Sequence, residues 1–208
     1  YLDQAYNTGN NYFSNTQLDF GEYSKVNVIY ENLSRKSRID SSWGNLENMS
    51  NYFEYKSLTS NTNTSRSRFS VAYQYDGPED GIIDQANLIG YTQSSMFEDD
   101  FDRELINPGG MLVSEEKDYD LTTEMRGFNA ALTSTIEVNE TQHVLSYGFD
   151  ISESNGSRIR RTIDLDTGEK KISKDTPDAI ISRSGIYLQD QIMIGDFDIV
   201  AGVRYDRY

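Results

Sequence analysis

The feature that most constrains this chain is a rhythm. Segments whose side chains alternate apolar and polar are joined by connections that run short, long, short, long. Eight such segments read as strands, at 12–20, 24–39, 62–76, 83–97, 119–137, 142–154, 181–194 and 197–207. The short connections are Gly21-Glu22-Tyr23, Gly77-Pro78-Glu79-Asp80-Gly81, Val138-Asn139-Glu140-Thr141 and Gly195-Asp196, which carry the Gly, Asn and Asp chemistry of hairpins. The long ones, 40–61, 98–118 and 155–180, fall at every second junction. An antiparallel up-and-down sheet with tight turns at one end and long loops at the other has this order. It is the asymmetry of transmembrane β-barrels, with short periplasmic turns and long extracellular loops; a soluble sandwich has no reason to sort its loops by length.

Alternation inside the strands agrees. Phe128, Ala130, Leu132, Ile136 and Val138 share one face, with Asn129, Thr133 and Thr135 on the other. Leu145, Tyr147, Phe149 and Ile151 oppose Ser146, Gly148 and Asp150, and Phe197, Ile199, Ala201, Val203 and Tyr205 oppose Asp198, Val200, Gly202 and Arg204. A period of two with one oily face is the strand signature, and a polar opposite face suits a hydrated lumen. A sheet half covered by a soluble core gives the same period, so strand length and loop sorting carry the membrane reading. Segment 119–137 exceeds the roughly 9–11 residues that cross a hydrocarbon layer. Tyr23, Tyr30, Tyr119, Tyr147 and Tyr205, near strand ends, are candidates for interfacial girdles or for ordinary cross-strand packing.

Composition fits a β-wall. Only 36% of residues are hydrophobic, yet 12% are aromatic, with 15 Tyr and 9 Phe; disordered chains are poor in aromatics. No run of 18 apolar residues occurs, which excludes a membrane helix and leaves a barrel open. A net charge of -15 argues against nucleic acid as a partner. With no cysteine there is no disulfide framework, thiolate metal site or cysteine nucleophile.

Two stretches carry a family resemblance. His143, Leu145, Tyr147 and Gly148 follow a short turn in one pattern; Tyr187, Gln189, Asp190, Gly202, Arg204, Tyr205, Asp206 and Tyr208 follow, in order, another. In these, and more loosely in 18–37 and 68–77, the chain resembles the barrel of the TonB-dependent haemoglobin, transferrin and lactoferrin receptor family, which includes haem receptors. The resemblance implies a barrel of about 22 strands holding a plug, loops that capture haem or an iron-carrying host protein, and a TonB complex acting through the plug. On that reading residues 1–208 are part of one barrel domain in the bacterial outer membrane, in contact with its lipid, and the plug and remaining strands lie elsewhere in the receptor. No late haem-receptor box of the FRAP or NPNL kind is present.

His143, the single histidine, sits beside a short turn at the periplasmic end, far from the capturing loops, so a structural role is expected rather than haem ligation. Asp164-Leu165-Asp166-Thr167-Gly168-Glu169 begins like a calcium loop but runs into Lys170 and Lys171; flanked by Ile163 and Ile172 it reads as a small hairpin within a loop. The acidic, aromatic run from Phe97 to Glu104 is expected in a long loop, as a solvated tip or a surface for a basic partner or divalent cation. Arg204 and Asp206 are expected to face inward as a wall-stabilising pair. Sequons at Asn32, Asn48, Asn63, Asn139 and Asn155 are what chance gives so Asn- and Ser-rich a chain.

Catalysis has no support: one His and no Cys leave no triad, and no metalloprotease or phosphate-loop motif occurs. No catalytic, metal or cofactor residue is assigned, and the ligand-binding residues stay open. The leading expectation is an uptake receptor; the alternatives are a complete eight-stranded barrel with an adhesion or structural role, and a secreted glycan-binding sandwich.

Overall fold

The computed structural model describes residues 4–42, 54–78, 81–139, 141–174 and 177–208. They form one antiparallel sheet in which sequence neighbours are also spatial neighbours. Its wall strands are β1 (Gln4–Phe20), β2 (Ser24–Ser42), β3 (Glu54–Asp76), β4 (Gln85–Ile106), β5 (Leu112–Val138), β6 (Thr141–Asp164), β8 (Ala179–Ile194) and β9 (Phe197–Arg207), and the short β7 (Lys170–Ser173) pairs only with the far end of β6. The eight strands expected from sequence are the eight wall strands, and β7 is the small hairpin expected within 155–180. β1 pairs with β2 alone and β9 with β8 alone, so the eight strands do not close on themselves.

The tight end is built as its turn residues demand. Gly21, Asn139 and Gly195 take positive φ angles of 72°, 48° and 56°, the left-handed conformations that Gly adopts freely and Asn tolerates. These turns fix the registers: Val138 opposes Thr141, and every β5–β6 pair follows from it to Glu115 opposite Asp164. The connection after β3 is longer than expected, running from Gly77 to Asp84 and closed by Gly77 N–H donating to Asp84 O at 2.6 Å.

At the other end the expected loops are largely strand. Of 98–118, only 107–111 connects β4 to β5, and Asn107 organises it by accepting from the N–H groups of Gly109 (2.9 Å) and Met111 (3.0 Å). The acidic run at 97–104 therefore lies on β4, not in a loop. Its backbone is paired to β3 on one side and β5 on the other, which satisfies the polar main chain that a loop would leave to water. Likewise β2 continues to Ser42 and β3 begins at Glu54; residues 43–53 of the expected 40–61 loop, with Asn48, lie outside the described residues. β5 reaches 27 residues, against the roughly 9–11 needed to cross a bilayer core.

Directly paired residues project from the same side of a sheet, so the registers sort every strand into two faces. One face carries an oily band beside the tight turns: Leu18, Val28, Val71, Leu88, Leu132, Phe149, Leu188 and Val203, one from each wall strand. Among the described residues no second layer covers it. Phe149 is 41% exposed, Ile186 60% and Phe197 73%, and the only buried apolar residues among those described are Leu105 and Ala130. A soluble sandwich buries such a face, so that alternative fails. The opposite face at the same height is polar: Asn27, Gln74, Asn87, Thr133, Ser146 and Gln189.

Candidate functional site

Towards the loop end the two faces exchange character. Continuing the oily face upward, β4 and β5 set Glu98 opposite Asp120, Asp100 opposite Asp118 and Asp102 opposite Glu116. Continuing the polar face upward brings Phe97, Phe101, Tyr119 and Leu121 together with the cations Arg66, Arg103, Lys117, Arg158 and Arg160. In a chain of net charge -15, one face of β4 and β5 here carries six facing carboxylates, while the other gathers aromatic rings and most of the nearby cations.

On this cationic side lies a groove of about 740 Å³ lined by Phe97, Asp99, Phe101, Tyr119, Leu121 and Arg158, with Gly156, Pro177 and Ala179 along its edge. Phe101 stacks on Tyr119 with ring centroids 5.6 Å apart and planes 15° from parallel. The Arg158 guanidinium sits 5.5 Å from the Tyr119 ring centre, within cation–π range. Gly156 lays bare backbone beneath the groove; a Cβ there would meet nothing within 4 Å. Asp99 is held by Ser60 Oγ (2.9 Å) and Thr62 Oγ1 (3.0 Å), which both donate to it.

Above the groove Arg103 and Lys117 are neutralised by one carboxylate, Glu115, at 2.6 and 3.0 Å. Burial opposes the Glu115 charge, but hydrogen bonds from Lys117 and Arg103, with their positive charges, outweigh it and hold its pKa below the ordinary glutamate range. Arg66 is likewise paired, with Glu31 at 2.7 Å. Arg158 has no carboxylate partner among the described residues and is exposed. It keeps guanidinium N–H donors for whatever enters.

The sequence candidates fall elsewhere. His143 lies on the oily face near the tight turns, with Nδ1 2.9 Å from Asp190 Oδ2. Arg204 and Asp206 lie on the polar face; Arg204 Nε donates to Asp206 (2.9 Å) and Nη2 reaches across β8 to Asp150 (2.8 Å), over Gly185, where any Cβ would meet all three side chains. Asp164 caps its own turn, accepting from Asp166 N–H (3.0 Å) and Thr167 N–H (2.8 Å), and the chain returns as β7. Among the described residues no three metal-ligating side chains converge. Tyr119, a candidate girdle residue, belongs to the groove on the opposite face. The groove itself was missed because its parts come from strands far apart in sequence.

The chain matches, over residues 1–208, the family model described as TonB dependent receptor-like, beta-barrel. It belongs to that family. The sheet is thus a stretch of transmembrane barrel wall whose oily band faces lipid and whose groove faces the enclosed side; the family's barrels are outer-membrane proteins of Gram-negative bacteria. Among solved structures, the ferric citrate transporter FecA in its unliganded form is similar at a TM-score of 0.53 and 12% identity, over 97% of this chain and 35% of that one. The outer membrane transporter YddB from Escherichia coli (TM-score 0.37, 13% identity, 96% of this chain and 34% of that one) and the siderophore receptor PiuA from Acinetobacter baumannii (0.29, 11%, 99% and 46%) add nothing to the fold assignment. The TonB-dependent barrel stretch described here thus spans about a third of FecA's length. A comparison with curated proteins finds no match.

Proposed function

We propose that this chain is wall from an outer-membrane, TonB-dependent uptake receptor that captures an anionic iron-bearing ligand on its inner face, with haem the ligand to test first. The observation that carries the reading is the groove: a stacked Phe101–Tyr119 pair beside Arg158, which has no carboxylate partner among the described residues, on the face turned away from lipid. Haem is a flat π-system with two carboxylates, and stacking plus a free guanidinium answers both parts. The groove lining holds no histidine or cysteine; Tyr119 is the one residue in it of a type that can ligate haem iron, and its ring is stacked on Phe101, so recognition is assigned to the ring faces and the carboxylates. Capture shifts from loop tips, as the loop lengths suggested, to strand walls that project beyond the membrane. Movement of the ligand would depend on a plug and the TonB complex, contributed by the rest of the receptor.

The test is a haem titration of the full receptor in detergent, followed in the Soret band. Arg158→Gln and Tyr119→Ala should each weaken binding by roughly ten- to a hundredfold, since a hydrogen bond to a charged group contributes about 1.5–3 kcal/mol. Haem affinity unchanged in both variants would overturn the capture site.

A further inference from the structure

A second groove of about 420 Å³ lies deeper on the same face, between Tyr91 and Arg183 and over Gly127 and Ser152. These four residues form one continuous row of ladder partners across β4, β5, β6 and β8. The side chains of Arg126, Phe128, Ile151 and Glu153 belong to the other face, so they line this groove through their backbone. Gly127 makes the space. A Cβ there would meet Tyr91 Cζ and its hydroxyl at 2.6 Å, so the tyrosine ring lies directly over bare main chain.

The parts repeat those of the upper groove. Arg68 sits 5.5 Å from the centre of the Tyr91 ring, and Arg183 sits 5.6 Å from that of Tyr208. Both arginines are exposed, and neither has a carboxylate partner among the described residues. Three other arginines on this face are neutralised, Arg66 by Glu31, Arg103 by Glu115 and Arg204 by Asp150 and Asp206. Arg68, Arg158 and Arg183 instead each lie against a tyrosine ring, which holds the guanidinium plane by one face and leaves its N–H edge unspent. Arg158 stands six residues above Ser152 on β6, about 20 Å along the strand.

We propose that Arg68, Tyr91 and Arg183 form a second, deeper anion-binding station that receives the ligand released from the upper groove. The ligand class is an anion carrying two or more carboxylate-like groups on a flat apolar body. A guanidinium lies on either side of the Tyr91–Ser152 floor, and the ring gives the body a surface. The proposal rests on the capture reading above, since a station below an entrance that captures nothing has no ligand to receive.

The experiment is haem titration of the full receptor, with the esterified, uncharged haem as the control. Wild type should titrate in two steps. The Arg68→Gln/Arg183→Gln pair should lose or weaken the second step at least tenfold and leave the first intact; Arg158→Gln should do the reverse. Arg68→Lys/Arg183→Lys keeps the charge and should restore most of the second step, which a merely structural role would not predict. Esterified haem should take neither step. A single step in wild type, abolished by Arg158→Gln, overturns the second station and leaves the capture site standing. Two steps unaltered by the glutamine pair also overturn it. No binding in wild type overturns both readings. If the glutamine pair does not assemble, the same titration of Arg183→Gln alone decides the question.

Discussion

Glycine at three positions on the inner face does the work of a socket, and each socket differs in what fills it. At Gly127 the occupant is the Tyr91 ring, at Gly185 the charged tips of Asp150, Arg204 and Asp206, and at Gly148 both the Tyr187 ring and the carbonyl oxygen of Ala130. In every case the filler comes from a neighbouring strand, so the missing Cβ is replaced by cross-strand packing. The consequences of adding a methyl group should differ accordingly. Charged tips can swing aside, whereas the Ala130 carbonyl belongs to the β5 main chain and cannot move without breaking ladder pairing. Gly148→Ala should destabilise the barrel by about 1–3 kcal/mol, and Gly185→Ala by clearly less. The heating temperature at which the folded band disappears from the gel measures both; equal losses would show that the main-chain contact does not set the cost.

At the scale of strands, β4 and β5 above the membrane carry an electrostatic tension that the rest of the wall avoids. Asp100 lies opposite Asp118, with Glu98 and Asp102 beside it on β4 and Asp120 and Glu116 beside its partner on β5, while the β3 residues opposite them are the uncharged Asn63, Asn61 and Thr59. The nearest cations are engaged, Arg161 by Asp120 and Arg38 by Asp40. Burial first, then Asp118, Glu98, Asp120 and Asp99, push the Asp100 pKa above the ordinary carboxylate range. A carboxyl group with a raised folded-state pKa supports the fold when protonated. Its contribution is complete below the unfolded value near 3.9 and is lost as pH rises through the folded value. Asp100→Asn should therefore stabilise the top of this hairpin at neutral pH by about 0.5–1 kcal/mol, and the gain should vanish in acid. Hydrogen exchange of the β4 amides at 98–104 reads this directly; an equal effect of the variant at pH 7 and pH 4 would remove the like-charge pairing as its cause.

The same hairpin shows how much was legible. The tight turns, the strand parity and the eight wall strands followed from local chemistry, because a Gly or Asn turn and a period of two are written within a few residues. The strand tops are expected as loops because the strands are bounded where alternation with a constant oily side stops. Yet 98, 100, 102 and 104 are all acidic while 97, 101 and 105 are apolar, which is the strand period with its oily side reversed. The groove was harder. Arg158 and Tyr119 are 39 residues apart and meet only through register. That register was implied by the two-residue turn after Val138, which sets Leu121 opposite Arg158, but a loop assignment for 155–180 removed the strand on which Arg158 would have been counted.

For the molecule as a whole, the reversal of polarity along each strand gives the wall its place in the membrane. A lipid-facing band must be oily only as far as the hydrocarbon reaches, and above that level the outward face meets water. The band should end where the acids begin, near Glu98 on β4 and Glu124 on β5, with Leu132 within it. Leu132 and Thr133 are adjacent in chain and depth but face opposite ways, so they separate the influence of depth from that of side. Leu132→Arg should cost about 2–4 kcal/mol if it lies near the midplane and should block assembly. Thr133→Arg places the same charge at the same level among Gln74, Asp76, Gln85 and Asn87 on the inner wall, where water and Asp76 can solvate it, and should assemble nearly as wild type. Folded yield in outer-membrane fractions compares the two. Equal tolerance would mean that the oily stripe does not touch lipid at that height, and a failure of Thr133→Arg alone would reverse the inward and outward faces.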